Sequence, residues 1–128
     1  MPVSLDHVHL FCSDPGATER FFVDMLGAER VWDEDAAGVR NVRLRLGRGF
    51  VHLYDQAPRR ERGGAFHHLG VHTDDLDALI AHMKARGHVF RHPVREEARF
   101  RYLMVAGPDD LLIELFESRE PARWQIPL

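Results

Sequence analysis

His7, His52, His68 and Glu114 each occupy a short segment in which apolar and polar residues alternate: residues 5–11 (LDHVHLF), 50–54 (FVHLY), 66–72 (FHHLGVH) and 111–116 (LLIELF). Side chains of a β-strand point alternately to two faces, so these four stand on the polar faces of their strands. Val8, Leu10, Val51, Leu53, Leu69, Val71, Ile113 and Leu115 line the opposite faces. Neutral imidazole and carboxylate are ligands of Fe(II), Mn(II), Ni(II), Co(II) and Zn(II), and two histidines with one carboxylate leave coordination positions open for water or substrate. Adjacent strands lie about 4.8 Å apart, so same-face side chains can converge on one ion. A single strand histidine is ordinarily a half-exposed polar residue. That account does not extend to four matched positions, one of them a glutamate in an otherwise apolar strand, which is costly to bury unless paired or metal-bound.

The spacing is a second regularity. His7 and His68 are 61 residues apart, His52 and Glu114 are 62 apart, and the chain reads as one module used twice. In the first copy, Ser13-Asp14-Pro15 offers a capping side chain and a proline at the first helical position, Phe21, Phe22, Met25 and Leu26 recur at helical spacing, and Gly27 stops the helix. Strands are predicted over residues 28–32, 41–46 and 50–54, giving the order βαβββ. The second copy restarts with a strand over 66–73. Asp74-Asp75 caps a helix striped by Leu76, Leu79, Ile80 and Met83, Gly87 ends it, and strands follow over 88–92, 100–106 and 111–117. Module one therefore spans about 4–55, an exposed linker 56–65, module two about 66–117 and a tail 118–128, all within one domain of 1–128. Pro121, Trp124, Ile126 and Pro127 give that tail a surface that can either dock or stay loose.

Of nine histidines, His67, His82, His88 and His92 fall at other parities or on other elements and read as structural or solvated, whereas His9 and His72 sit two residues beyond His7 and His68 on the same faces. Both are candidates for substrate contact. Tyr54 shares parity with His52 and either donates a hydrogen bond to a bound oxygen or packs at a rim. Arg43 and Arg45 form a cavity wall selecting an anionic substrate or a solvated strand face; Phe100, Tyr102 and Met104 form an apolar wall or core.

With 128 residues, 45% hydrophobic, a net charge of −3 and a pI near 6.3, the chain suits one globular domain and offers no bulk attraction to nucleic acid or anionic lipid. The single Cys12 forms no internal disulfide, no apolar run is long enough to span a bilayer, and the first residues lack a secretory pattern, so the expectation is a soluble, cytoplasmic protein with a small-molecule partner.

The segments LDHVHLFCSD, HLGVHTDDLD and GPDDLLIELFE resemble the vicinal oxygen chelate superfamily, which includes glyoxalase I, extradiol dioxygenases, methylmalonyl-CoA epimerase, fosfomycin-modifying enzymes and bleomycin-binding proteins. The resemblance covers nearly the whole chain up to Glu117. It implies an α+β fold in which two βαβββ modules form a half-open mixed β-barrel, a divalent metal (Fe, Mn, Ni, Co or Zn) held by His7, His68 and Glu114, and a homodimer. The implied activity is that of a glyoxalase-like lyase or isomerase working through an enolate-type intermediate. The alternatives are an Fe(II)-dependent extradiol-type dioxygenase and a non-catalytic antibiotic-binding resistance protein. His52 departs from the pattern, because the matching position of glyoxalase I is a glutamate; here it is either a fourth ligand or an acid/base, with Tyr54 beside it. His9, Arg43, His72 and Tyr102 are the expected substrate contacts.

Overall fold

The computed structural model describes residues 6–36, 38–58 and 66–120. The chain divides after residue 64 into two compact units. Each is a βαβββ module, and the class is α+β. In the first unit the elements are β1 (His7–Phe11), α1 (Pro15–Leu26), β2 (Glu29–Ala36), β3 (Val39–Leu46) and β4 (Gly49–Tyr54). Their sheet has the order β1-β4-β3-β2, with β1 and β4 parallel and the other pairs antiparallel.

The ends of α1 follow from local chemistry. Asp14 is extended and its carboxylate accepts a hydrogen bond from Ala17 N at 3.1 Å, Pro15 opens the helix, and Gly27 closes it at φ 73°, where a side chain would be strained. The helix packs against β3 and β4. The fully buried Phe22 belongs to a core with Val42, Leu44, Val51 and Leu53. An ionic chain then ties helix to sheet: Arg30 donates to both oxygens of Glu19 at 2.5 and 2.6 Å, and Arg40 donates to both oxygens of Asp33 at 2.9 Å, with Arg30 also 3.5 Å from Asp33. This chain lowers the carboxyl pKa of Asp33, chiefly through the Arg40 hydrogen bonds. It also explains why β2 runs past the predicted 28–32. Asp33, Glu34 and Asp35 lack the apolar alternation of a strand but pair with Val42, Asn41 and Arg40.

The second unit repeats the plan with β5 (Leu69–His72), α2 (Leu76–Ala85), β6 (Arg95–Glu96), β7 (Phe100–Ala106) and β8 (Leu112–Ser118), ordered β5-β8-β7-β6 with β5 and β8 parallel. Asp75 caps α2 by accepting from Ala78 N at 3.0 Å, and Glu117 of β8 accepts from Leu76 N at 2.8 Å. A β-strand carboxylate thus takes up one of the helix's otherwise unpaired N–H groups. Leu76, Met83, Leu103, Val105, Ile113 and Leu115 form the core. Arg101 bridges Asp77, Glu96 and Glu117, and its hydrogen bonds to Asp77 and then Glu96 hold its guanidinium pKa above the usual range.

Two strand expectations need correction. The strand predicted over 66–73 is confined to Leu69–His72, so residues 66–68 precede it. Residues 88–92 form no strand. Pro93 lacks an amide proton, Val89 is 75% exposed, and the edge strand is reduced to Arg95–Glu96. Most of the predicted linker (59–65), the tail residues 121–128 and Leu5 lie outside the described residues. Among the described residues, strand pairing stops at four strands in each sheet. No described helix is long and apolar enough to cross a membrane.

Because Phe22 is enclosed between helix and sheet, Phe22→Ala should destabilise the first unit by about 3 to 5 kcal/mol. Urea unfolding followed by far-UV circular dichroism would measure it, and a loss below about 1 kcal/mol would contradict the packing described.

Candidate functional site

With α1 covering one face of the first sheet, the other face collects its polar side chains. His9 lies opposite His52 and Arg43 lies on the other side of His52, so these three stand in a row across β1, β4 and β3. His7 stacks on His52 with ring centroids 3.8 Å apart and planes 11° from parallel. The ring of His7 is fixed from below, its Nδ1 lying 2.8 Å from Asp6 Oδ2. A carboxylate there holds the proton on Nδ1 and leaves Nε2 as a free ligand atom. Asp6, His7 and His52 present metal-capable atoms that all lie within 4.8 Å of one another.

Burial depresses the pKa of His52, helped by His7 and then Arg43, with Asp6 acting in the opposite sense. His9 is depressed too, by burial and then by His7. Both imidazoles are therefore neutral near pH 7, ready to accept a proton or bind an ion. Tyr54 meets the His9 ring edge-on at 3.8 Å. Arg43 lies 4.3 Å above the Trp32 ring, and its Nε is buried with no hydrogen-bond partner among the described residues. Asn41, only 2% exposed, likewise has an unpartnered buried Oδ1.

In the second unit the parallel pairing of β5 with β8 sets Gly70 opposite Glu114, and the space a Gly70 side chain would fill is open. His68, one residue ahead of β5, brings its Nε2 to 2.8 Å from Glu114 Oε2. Its Nδ1 lies 2.8 Å from Nδ1 of His67. Beside the pair is a cavity of about 300 Å³ lined by Gly70, Val71, His72, Glu114 and Phe116. On the same face Phe100 is the centre of an aromatic row, its ring centroid 5.8 Å from that of Tyr102 and 5.4 Å from that of Phe116, and His72 lies 6.0 Å from Phe116.

The donor set fits a divalent transition metal. Two ligands each about 2.1 Å from an ion and at a right angle to one another stand about 3.0 Å apart, close to the separation of His68 Nε2 and Glu114 Oε2. Of the expected ligands, His68 and Glu114 meet in the second unit, while His7 meets His52 in the first. Tyr54 and His9 stand together; Arg43 is opposite His52; Tyr102 and His72 lie opposite Phe116 on the two neighbouring strands. Asp6 and His67 are contacts that parity arguments miss. Both precede the first residue of a strand, where alternation does not apply, and the only signal was a titratable residue immediately before each candidate histidine.

The chain belongs to the Glyoxalase/Bleomycin resistance protein/Dioxygenase superfamily, whose model matches residues 4–115. Among curated proteins none matches it in sequence. Its fold is shared with a glyoxylase/bleomycin resistance protein/dioxygenase domain from Frankia sp. EAN1pec (TM-score 0.79, 19% identity, covering 93% of this chain and 100% of that one). It is shared with TnmS3, an antibiotic binding protein from Streptomyces sp. CB03234 (0.76, 24%, 92% and 98%). A third likeness is to the fosfomycin resistance protein FosX from Listeria monocytogenes (0.75, 20%, 91% and 94%).

A buried amide oxygen without a donor is a stability defect tolerated beside a binding face. Asn41→Leu, similar in volume and free of polar atoms, should raise stability by about 1 kcal/mol. An equal or larger loss on chemical denaturation would show that Asn41 already makes an essential contact.

Proposed function

We propose that the chain is a divalent-metal-dependent enzyme of this superfamily, a glyoxalase-like lyase or isomerase acting on a small substrate with two neighbouring oxygens. His7, His68 and Glu114 are the proposed ligands. The observation that carries the reading is the His68–Glu114 pair, whose 2.8 Å separation and outlying Nδ1 contact to His67 leave Nε2 and a carboxylate oxygen side by side. When bound, the metal supplies Lewis acidity towards the substrate oxygens and favours an enolate-type anion. His52 is proposed as the acid/base and not a ligand. The lone pair of an imidazole lies in its ring plane, and near-parallel stacked rings direct their lone pairs side by side, so His7 and His52 do not aim at one point. A neutral His52 then accepts the substrate proton on a ring nitrogen and returns it, with Tyr54 and His9 beside it.

A second reading, binding of an antibiotic-like molecule without turnover, is favoured by the aromatic row Tyr102–Phe100–Phe116, which offers flat apolar surface on the face that carries Glu114. It agrees with the names of the antibiotic-binding and resistance proteins that share the fold.

Calorimetric titration of the purified chain with Fe(II), Mn(II), Ni(II), Co(II) and Zn(II) separates the two. Glu114→Gln should weaken binding at least about tenfold, since an anionic ligand becomes neutral, and Asp6→Asn by about tenfold through loss of the partner that orients His7. His52→Ala should leave affinity unchanged; a parallel loss would make it a fourth ligand. Absence of metal binding would leave the sequestration reading, and oxygen uptake with iron would replace the lyase with a dioxygenase. Light scattering should give a particle of twice the 14.8 kDa chain mass. A monomer at micromolar concentration would remove the homodimer.

A further inference from the structure

The two modules differ at one edge. In module one, β2 pairs with β3 from Glu29 to Ala36, with a bulge at Val31, whereas in module two β6 reaches β7 only through Arg95↔Tyr102 and Glu96↔Arg101. Phe100 O accepts from Glu97 N at 2.9 Å, so by the two-residue period of a strand the N–H and C=O groups of Tyr102, Met104 and Ala106 point to that same outer edge. The odd-numbered residues face β8, as Arg99 O does in accepting from Arg119 N. Beyond Tyr102 the edge has no strand partner among the described residues. Residues 88–92 stand off from it instead, enclosing a cavity of about 330 Å³.

We propose that this cavity is a binding site for a short peptide or peptide-like amide, which pairs with the open edge of β7 at Met104 and Ala106. Main-chain groups of the edge offer the alternating donors and acceptors of a missing strand. Arg91 and Asp110 line the cavity and supply a cation and an anion for the two ends of such a molecule, while Val89, Met104 and Leu112 supply apolar wall. The volume suits two or three residues and not a long strand, and it lies at the small end of ligand pockets generally. Asp109 and Asp110, both left-handed at φ 57° and 58°, form the tight turn between β7 and β8 that sets Asp110 at the rim, a conformation aspartate adopts readily in turns. None of this depends on metal binding.

The test is a nitrogen-15 NMR titration of the whole chain with free tripeptides carrying alanine, leucine or phenylalanine at the centre, and with the same peptides N-methylated at the central amide. The expected result is shifts of the Met104 and Ala106 amides and of residues 88–92, with affinity falling at least tenfold on N-methylation and again in Ala106→Trp, which fills the cavity. No shift at those amides with millimolar peptide would overturn the proposal. So would equal binding of the methylated peptides, which would mean an apolar pocket without edge pairing, or peptide-independent self-association through this edge.

Discussion

Everything chemical in each unit depends on which face of its sheet the helix covers. Phe22 in one unit, and Leu76 with Met83 in the other, are fully enclosed in cores built from alternate strand residues. A one-residue slip of β4 or β8 would drive His52 or Glu114 into that apolar layer and expose Leu53 or Leu115. Burial of a Leu side chain is worth about 1.5 to 3 kcal/mol, and an unpaired buried charge costs more still, so the register is held from both sides. Packing of the helices therefore also aims the ligand-capable side chains, without any interaction between those side chains themselves.

Aiming alone does not make a ligand. An imidazole can present either nitrogen, and the choice is made by whatever the other nitrogen meets. In both units that partner comes from the residue just before the histidine: Asp6 on Nδ1 of His7, and His67 on Nδ1 of His68. In both cases this residue lies outside the regular strand, where two consecutive side chains can reach the same side. The partners are not equivalent. A carboxylate can only accept, so Asp6 places the proton on Nδ1 of His7, whereas an imidazole nitrogen can donate or accept, so His67 is compatible with either tautomer of His68.

Much of this was legible from residue order. The repeat, both helices with their aspartate caps and glycine stops, and the faces of β1, β4 and β8 follow from period and turn chemistry that act locally. The family resemblance agreed with them. What was not legible depended on partners distant in sequence or on departures from periodicity. β2 extends through Asp33 because Arg40 meets it, and Glu117 caps α2 from 41 residues away. His67 precedes the regular strand, where alternation does not apply, and residues 88–92 form no strand because Pro93 interrupts the run of amide donors that pairing with the edge of β7 needs.

The failure at 88–92 bears on how the two copies diverged. The edge strand of module one pairs along β3 and carries cross-strand ion pairs, Arg40 with Asp33 and Arg45 with Glu29, that add modestly to that pairing. Module two uses its charges elsewhere. Arg101, Glu96 and Asp77 gather where α2, β6 and the first residues of β7 meet, and among the described residues no ion pair lies farther along β7 towards Ala106. Without cross-strand charge pairs or an uninterrupted run of amide donors, the segment before Pro93 gains too little from pairing to lie flat, and it arches away. Among the described residues, edge pairing on β7 stops at Tyr102, and a recess lined by Met104 and Ala106 opens beyond it.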